Sequence, residues 1–144
     1  MKDAGCEECG LGIESADDIV LNLNNKKETV EQHGKAIQIL HEVGIRSKSY
    51  WVMGLPGETD QTLELNKEFV KMFKPDRWTV STFSPYPGCA IYKNPTAYNI
   101  RIIDDDFNHW WNFNEETNRY NHLIIGQTSK QMWDRYREFF NFLK

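Results

Sequence analysis

Cysteine is scarce in this sequence. Only Cys6, Cys9 and Cys89 occur among 144 residues, which excludes a disulfide-stapled scaffold. The opening Met1-Lys2-Asp3-Ala4-Gly5 lacks the apolar core of a secretory leader, so a reducing, cytoplasmic setting is expected. Positive charge is short as well: 17 Lys and Arg face 21 Asp and Glu, for a formal net charge of -4. No basic stripe is available to neutralise phosphates, and nucleic acid is not expected as the main partner. No apolar run approaches the ~20 residues that a membrane-crossing helix needs. Low-complexity linkers are missing too, and nothing repeats beyond a strand–helix unit. What remains is a globular composition, 40% hydrophobic and 26% charged, of a size that suits one domain or a piece of a larger one.

Patterning along the chain alternates between strand and helix. Ala4-Gly5-Cys6 reads as a helix ending at a glycine, with the helix itself expected upstream. Residues 9–13 suit a buried strand, and Glu14-Ser15 stops it before a helical stretch over 17–23. Thr29-Val30-Glu31-Gln32 has capping-box spacing, with Val30, Ile37, Leu40 and His41 at helical intervals and Gly44 just beyond. A second strand over 49–53 runs into Gly54-Leu55-Pro56-Gly57. Thr59 is placed to cap a helix with the stripe Leu63, Phe69, Val70 and Phe73, which Pro75 ends. The third strand, 78–83, leads into Ser84-Pro85-Tyr86-Pro87-Gly88. Thr128-Ser129-Lys130-Gln131 opens a last helix bearing Met132, Trp133, Tyr136, Phe139, Phe140 and Leu143. Between them, residues 92–127 hold Tyr98, Phe107, Trp110, Trp111, Phe113 and Tyr120 with no clear period, and read as an irregular segment packed on the domain.

This order predicts an α/β fold with a parallel sheet and right-handed crossovers. Three strands cannot close a barrel, so the chain is expected to be incomplete. The first strand would leave an edge that must be paired, covered by the C-terminal segment, or used in self-association.

Ligands of parallel α/β folds sit where strands end. A carboxylate and a hydroxyl at one strand end, Glu14-Ser15, suit a sugar diol, because an ionised acid can accept two O–H hydrogen bonds at once. The Gly54-Leu55-Pro56-Gly57 turn allows backbone to approach a flat ligand closely, with Met53 and Leu55 as packing surface.

Three segments, AGCEECGLGIES, VMGLPGETDQT and FSPYPGCAIYKNP, resemble in order and spacing the last three strand–loop units of radical S-adenosylmethionine (SAM) enzymes. The likeness is closest to the group with a cobalamin-binding N-terminal domain, and NPTAYNI and TSKQMWDRYREFF extend it to nearly the whole chain. The resemblance implies that Glu14 and Ser15 contact ribose, that Met53, Gly54 and Leu55 line the adenine, and that Phe83 and Ser84 contact adenine partly through backbone. It also implies a [4Fe-4S] cluster held by C-x3-C-x2-C, a triplet this sequence lacks. The cluster, and any cobalamin, would belong to regions outside the chain. The resemblance implies that residues 1–90 are the C-terminal half of a partial (β/α)6 barrel and 91–144 a post-barrel cap segment with the C-terminal helix; by this reading the chain is a fragment with no catalytic residue and no metal ligand of its own, inactive alone and able to bind SAM weakly or not at all. Its partners would be the other half of the barrel or a second chain, and a small-molecule substrate of unknown identity. The alternative is a non-catalytic interaction domain, either a degenerate remnant or half of a split protein.

Blander readings cover the other conspicuous residues. Cys6 and Cys9 lead into a strand rather than opening a helix, so a structural role is expected. Glu58 is read as a first-turn acid favoured by the helix dipole, and Asp104-Asp105-Asp106 as a solvated turn or cap. His33 and His41 are read as surface or packing residues, whereas His109 and His122 have no assignable place.

Overall fold

The computed structural model describes residues 1–106 and 120–144. Phe107, His109, Trp110, Trp111 and Phe113, part of the aromatic-rich segment, lie outside the described residues. Strands β1 (Glu8–Glu14), β2 (Arg46–Met53) and β3 (Arg77–Thr82) pair in the order β1-β2-β3, and both pairs are parallel. The crossovers carry α1 (Asp18–Leu23) and α2 (Val30–Glu42) between β1 and β2, and α3 (Asp60–Phe73) between β2 and β3. Beyond the sheet come a single helical turn, α4 (Ala90–Lys93), two short strands, β4 (Ile100–Ile102) and β5 (His122–Ile124), and the closing helix α5 (Ser129–Leu143).

Local chemistry explains the helix starts. Thr29, Thr59 and Thr128 each accept from the backbone N–H three residues on, and Gln32, Thr62 and Gln131 reach back in reciprocal capping boxes. The α3 helix ends at Lys74 in a left-handed conformation, just before Pro75. At the N-terminus one 3-10 turn, Lys2–Ala4, closes on Gly5, whose φ of 84° glycine adopts without steric cost.

Alternation sorts the sheet residues into two faces. Ile13, Trp51 and Met53 bury into a core shared with Ile37 of α2, Leu63 and Phe69 of α3, and Phe139 of α5. Trp51 meets Phe69 and Phe139 edge-on, with ring centroids 5.7 and 5.1 Å away, contacts worth about 0.5–1.5 kcal/mol each beyond the area buried. The opposite face, made by Gly10, Gly12, Lys48, Tyr50, Val52, Thr79 and Ser81, holds no buried residue.

One detail differs from the sequence expectation. The 92–127 segment is not wholly irregular, since β4 and β5 pair antiparallel (Ile100 with Ile124, Ile102 with His122). Three-residue strands so far apart in sequence leave no readable period. Among the described residues β1 pairs only with β2, and the described part of the C-terminal segment adds no strand to its outer edge. It packs instead on the turn after β2, where a Cβ on Gly54 would come within 2.5 Å of the Tyr120 ring.

Candidate functional site

Parallel pairing puts the three strand ends at one edge of the sheet, and each is built differently. At the end of β1 the register slips between Gly12 and Glu14, and Glu14 takes φ 61°. A non-glycine residue there is uncommon and costs about 1–2 kcal/mol. The slip turns the Glu14 carboxylate back over Gly12, where a Cβ would meet its Oε1 at 2.8 Å. Lys26, in the loop between α1 and α2, sits 3.6 Å from that oxygen and 3.3 Å from Glu28. Glu28 in turn lies 3.0 Å from His33, and this hydrogen bond, followed by Lys26, holds its carboxyl below the usual range. The Glu14 side chain stays 31% exposed, so an acid that is already oriented faces solvent at a strand end.

Ser15 is placed otherwise. It is buried, and its Oγ accepts the Asp17 N–H at 3.3 Å. Asp17 caps α1 through Ile19 N–H and accepts the Thr62 hydroxyl at 3.0 Å, while Ala16 N–H donates to Asn66 Oδ1 at 2.7 Å. These α3 contacts anchor the turn that presents Glu14, and sequence reasoning did not single out Lys26, Asp17, Thr62 or Asn66.

The end of β2 faces inward. Met53 and Leu55 are buried, with Met53 in the main core. Both polar backbone atoms of Gly54 are engaged: its N–H donates to Glu58 Oε2 at 2.6 Å, and its carbonyl lies 2.8 Å from His122 Nε2. The Met53 carbonyl accepts Phe83 N–H at 2.8 Å, which fixes the end of β3 against β2. Phe83 stacks edge-on against His122, 5.2 Å between centroids. Ser84 is half-buried beside it.

Glu58 does not serve as the first-turn acid expected of it. Thr59 is the cap, and Glu58, one residue earlier, turns inward and is 2% exposed. Its Oε1 receives Arg135 Nε at 3.1 Å, and Arg135 also reaches Asp60 at 2.9 Å and the side chain of Gln127. Gln127 Nε2 closes the ring on the Glu58 carbonyl at 2.8 Å. Burial pushes the Glu58 carboxyl above its ordinary range, against the pull of the Arg135 guanidinium and the Gly54 N–H. His122 is fully buried, and desolvation lowers its pKa to about 4, so the ring is neutral at pH 7. With Nε2–H donating to Gly54, Nδ1 must accept, 3.0 Å from the Asn121 side-chain amide. Turning that amide by half a rotation offers Nδ1 the Asn121 Nδ2–H, which otherwise has no partner among the described residues.

The three thiols do not form a cluster site. Cys6 precedes β1, Cys9 lies within it, and Cys89 caps α4 by accepting Tyr92 N–H. Among the described residues no group of three or more His, Cys, Asp or Glu side chains is arranged to hold a metal. Asp104 Oδ1 accepts Asp106 N–H at 3.0 Å, which makes the acidic run a turn.

Comparison with known proteins agrees with this geometry. Residues 1–70 match the radical SAM superfamily. The chain is 27% identical over 140 residues to the anaerobic magnesium-protoporphyrin IX monomethyl ester cyclase of Rubrivivax gelatinosus, covering 97% of this chain and 24% of that protein. It is 31% identical over 87 residues to the tRNA-2-methylthio-N(6)-dimethylallyladenosine synthase of Paracoccus denitrificans, covering 59% of this chain and 20% of that one. Among solved structures, Elp3 of Methanocaldococcus infernus superposes with a TM-score of 0.60 at 21% identity, covering 66% of this chain and 23% of that one. Coproporphyrinogen III oxidase (HemN) of Escherichia coli, a radical SAM enzyme, gives 0.54 at 15% identity, covering 88% and 31%. The chain thus spans about a quarter of the length of the first of these relatives. The fold likeness identifies its three strands as part of such a barrel.

Proposed function

Because this chain belongs to the radical SAM superfamily, we propose that it forms the nucleoside side of a SAM site in a longer assembly, with Glu14 as the acceptor for the ribose hydroxyls. The observation that carries this reading is the strained, ion-paired and still accessible Glu14 at the end of β1. Strain of this kind persists where surrounding structure imposes it, as at ligand sites, and packing gives an exposed acid no reason to adopt it. Ser15, buried and accepting the Asp17 N–H, positions Glu14 rather than binding ribose itself. Met53, Gly54 and Leu55 contribute shape, since the polar atoms of Gly54 are used internally. Phe83 and Ser84 supply the ring face and backbone beside the adenine.

Bound SAM would supply radical chemistry to the whole enzyme, the family's use of a reduced [4Fe-4S] cluster. The thiols described here do not fit such a cluster, whose ligands would lie in another part of the barrel together with any cobalamin-binding region. The remaining strands, in the same protein or a partner chain, would pair with the free edge of β1, and the substrate and reaction belong to that larger unit.

Titrating SAM into the chain and following backbone amides by NMR tests the proposal. Weak binding is expected, because only one wall of the pocket is present, with shifts at Gly12, Glu14, Ser15, Phe83 and Ser84 that Glu14→Gln removes. No shifts at these positions, or shifts indifferent to Glu14→Gln, would refute it.

A further inference from the structure

The strained turn after β1 is held by α3, a helix that begins two strands' length of sequence away. Three successive backbone N–H groups of that turn find partners. Ser15 N–H donates to the Ile13 carbonyl at 2.7 Å, closing a three-residue turn around Glu14. Asp17 N–H donates to Ser15 Oγ at 3.3 Å. Both bonds are local and travel with the turn if it relaxes. A three-residue turn with a positive central φ is rare and strained, and Glu14 has φ 61°, so something outside the turn must hold it.

The middle N–H, that of Ala16, supplies the outside hold. It donates at 2.7 Å to Oδ1 of Asn66, fifty residues on and 1% exposed. A buried amide is costly unless it is used, and this one is used on the turn behind Glu14. One turn earlier in α3, the buried Thr62 donates its hydroxyl to Asp17 Oδ2 at 3.0 Å. Residues four apart share one face of a helix, so α3 grips the turn at two points. The same stretch reaches the β2 end. Thr62 completes the capping box with Thr59, and the residue before Thr59 is Glu58, which accepts the Gly54 N–H at 2.6 Å. Residues 58–66 therefore hold both Gly54 and residues 16–17, with a helical rise of fixed length between the two grips.

We propose that Asn66 and Thr62 are positioning residues for Glu14: α3 is a gauge that holds this acid in its left-handed conformation and sets its distance from the β2 end. Both side chains are buried and act through the turn rather than on a ligand. Released from Asn66, Glu14 relaxes to a negative φ, and its carboxylate leaves the place over Gly12 that it now occupies. The proposal rests on the reading of Glu14 as the ribose acceptor, and adds that preference for a ribose diol depends on α3.

The test uses the whole chain and NMR, first without ligand and then with adenosine and 2′-deoxyadenosine as separate probes. Without ligand, Glu14 should show the strong cross-relaxation between its own amide and α protons that marks a positive φ, and Asn66→Ala should weaken it. Adenosine should bind about tenfold more tightly than 2′-deoxyadenosine, the worth of a hydrogen bond to a charged group. Asn66→Ala should abolish that preference by weakening adenosine alone. Thr62→Val should weaken adenosine about threefold, the worth of a neutral hydrogen bond, and Thr62→Ser, which keeps the hydroxyl, should not. The core variant Ile37→Val, on α2, controls for general destabilisation and should leave the preference intact. An unchanged Glu14 signal in Asn66→Ala, equal weakening of both nucleosides, or the same loss in Ile37→Val would each overturn the proposal. If Asn66→Ala loses the dispersion of its amide spectrum, the Thr62 pair decides, and equal behaviour of Val and Ser at that position refutes the gauge. The nucleoside reading fails separately: Glu14→Gln would then leave the adenosine preference unchanged, while Asn66→Ala still released Glu14 in the ligand-free chain.

Discussion

Replacing Arg135 with methionine isolates the buried ion pair that ties the last helix to the turn after β2. Methionine keeps much of the stem volume, so the change is chiefly the loss of the guanidinium. Glu58 would be left 2% exposed, with the Gly54 N–H at 2.6 Å but no cation. Breaking one side of a buried pair costs about 3–5 kcal/mol. The Asp60 contact adds little, because that carboxylate is largely in water. A loss near ~3 kcal/mol at pH 7 is therefore expected, a large part of the roughly 5–15 kcal/mol that domains possess. The carboxylate has an escape: burial already raises its pKa, and without Arg135 the raise grows, so protonation should shrink the penalty as the pH falls. Urea unfolding followed by tryptophan fluorescence, to which the buried Trp51 contributes, would measure both effects. The double variant Glu58→Gln/Arg135→Met removes the stranded charge and should recover at least ~1 kcal/mol over the single variant. A loss below ~1 kcal/mol in Arg135→Met, or a double variant less stable than the single, would show that the pair does not hold the turn.

His122 gives a pH signature of its own. Its folded pKa of about 4 lies below the ordinary 6.5, so the unfolded chain binds the extra proton first. The corresponding stability is present above about 6.5 and is lost as the pH falls toward 4, by up to ~3 kcal/mol; His122→Gln should flatten that limb in urea unfolding series between pH 7 and 4, and an unchanged limb would contradict the assignment. Anaerobic incubation with iron and sulfide should leave the chain without the visible charge-transfer absorption of a cluster, because Cys6, Cys9 and Cys89 do not converge; a stable chromophore lost in Cys6→Ser would prove that wrong.

What the sequence revealed follows from how local each signal is. The capping-box spacing at Thr29 and Thr128 and the cap at Thr59 are local signals, and helices begin at all three. The strand cores around Ile13, Trp51 and Val80 are apolar enough to be read. The start of β2, residues 46–48, was missed because its buried position is Ser47, a polar residue satisfied by Asp76. Asp76 itself is held below its usual pKa by the Ser47 N–H. Glu58 was misread because its partner lies 77 residues away. One signal was available: Arg135 stands three residues after Met132 and four before Phe139, on the apolar stripe of α5. A charged residue in that position needs a buried partner, and Glu58 was a candidate.

That pairing changes what counts as the barrel wall. The family match ends at residue 70, yet the turn that it contains is not self-sufficient. Gly54 offers a carbonyl and Glu58 a charge and a carbonyl, and their partners are His122, Arg135 and Gln127. An unpaired buried carbonyl or carboxylate costs about 1–3 kcal/mol or more, so residues 1–70 alone would leave this strand end without its hydrogen bonds. Phe83, at the neighbouring strand end, stacks on the same His122. The segment after β3 therefore completes the polar chemistry of the β2 end and braces the β3 end. Any ligand seated between Glu14 and Phe83 would depend for its geometry on residues more than a hundred positions from the first strand.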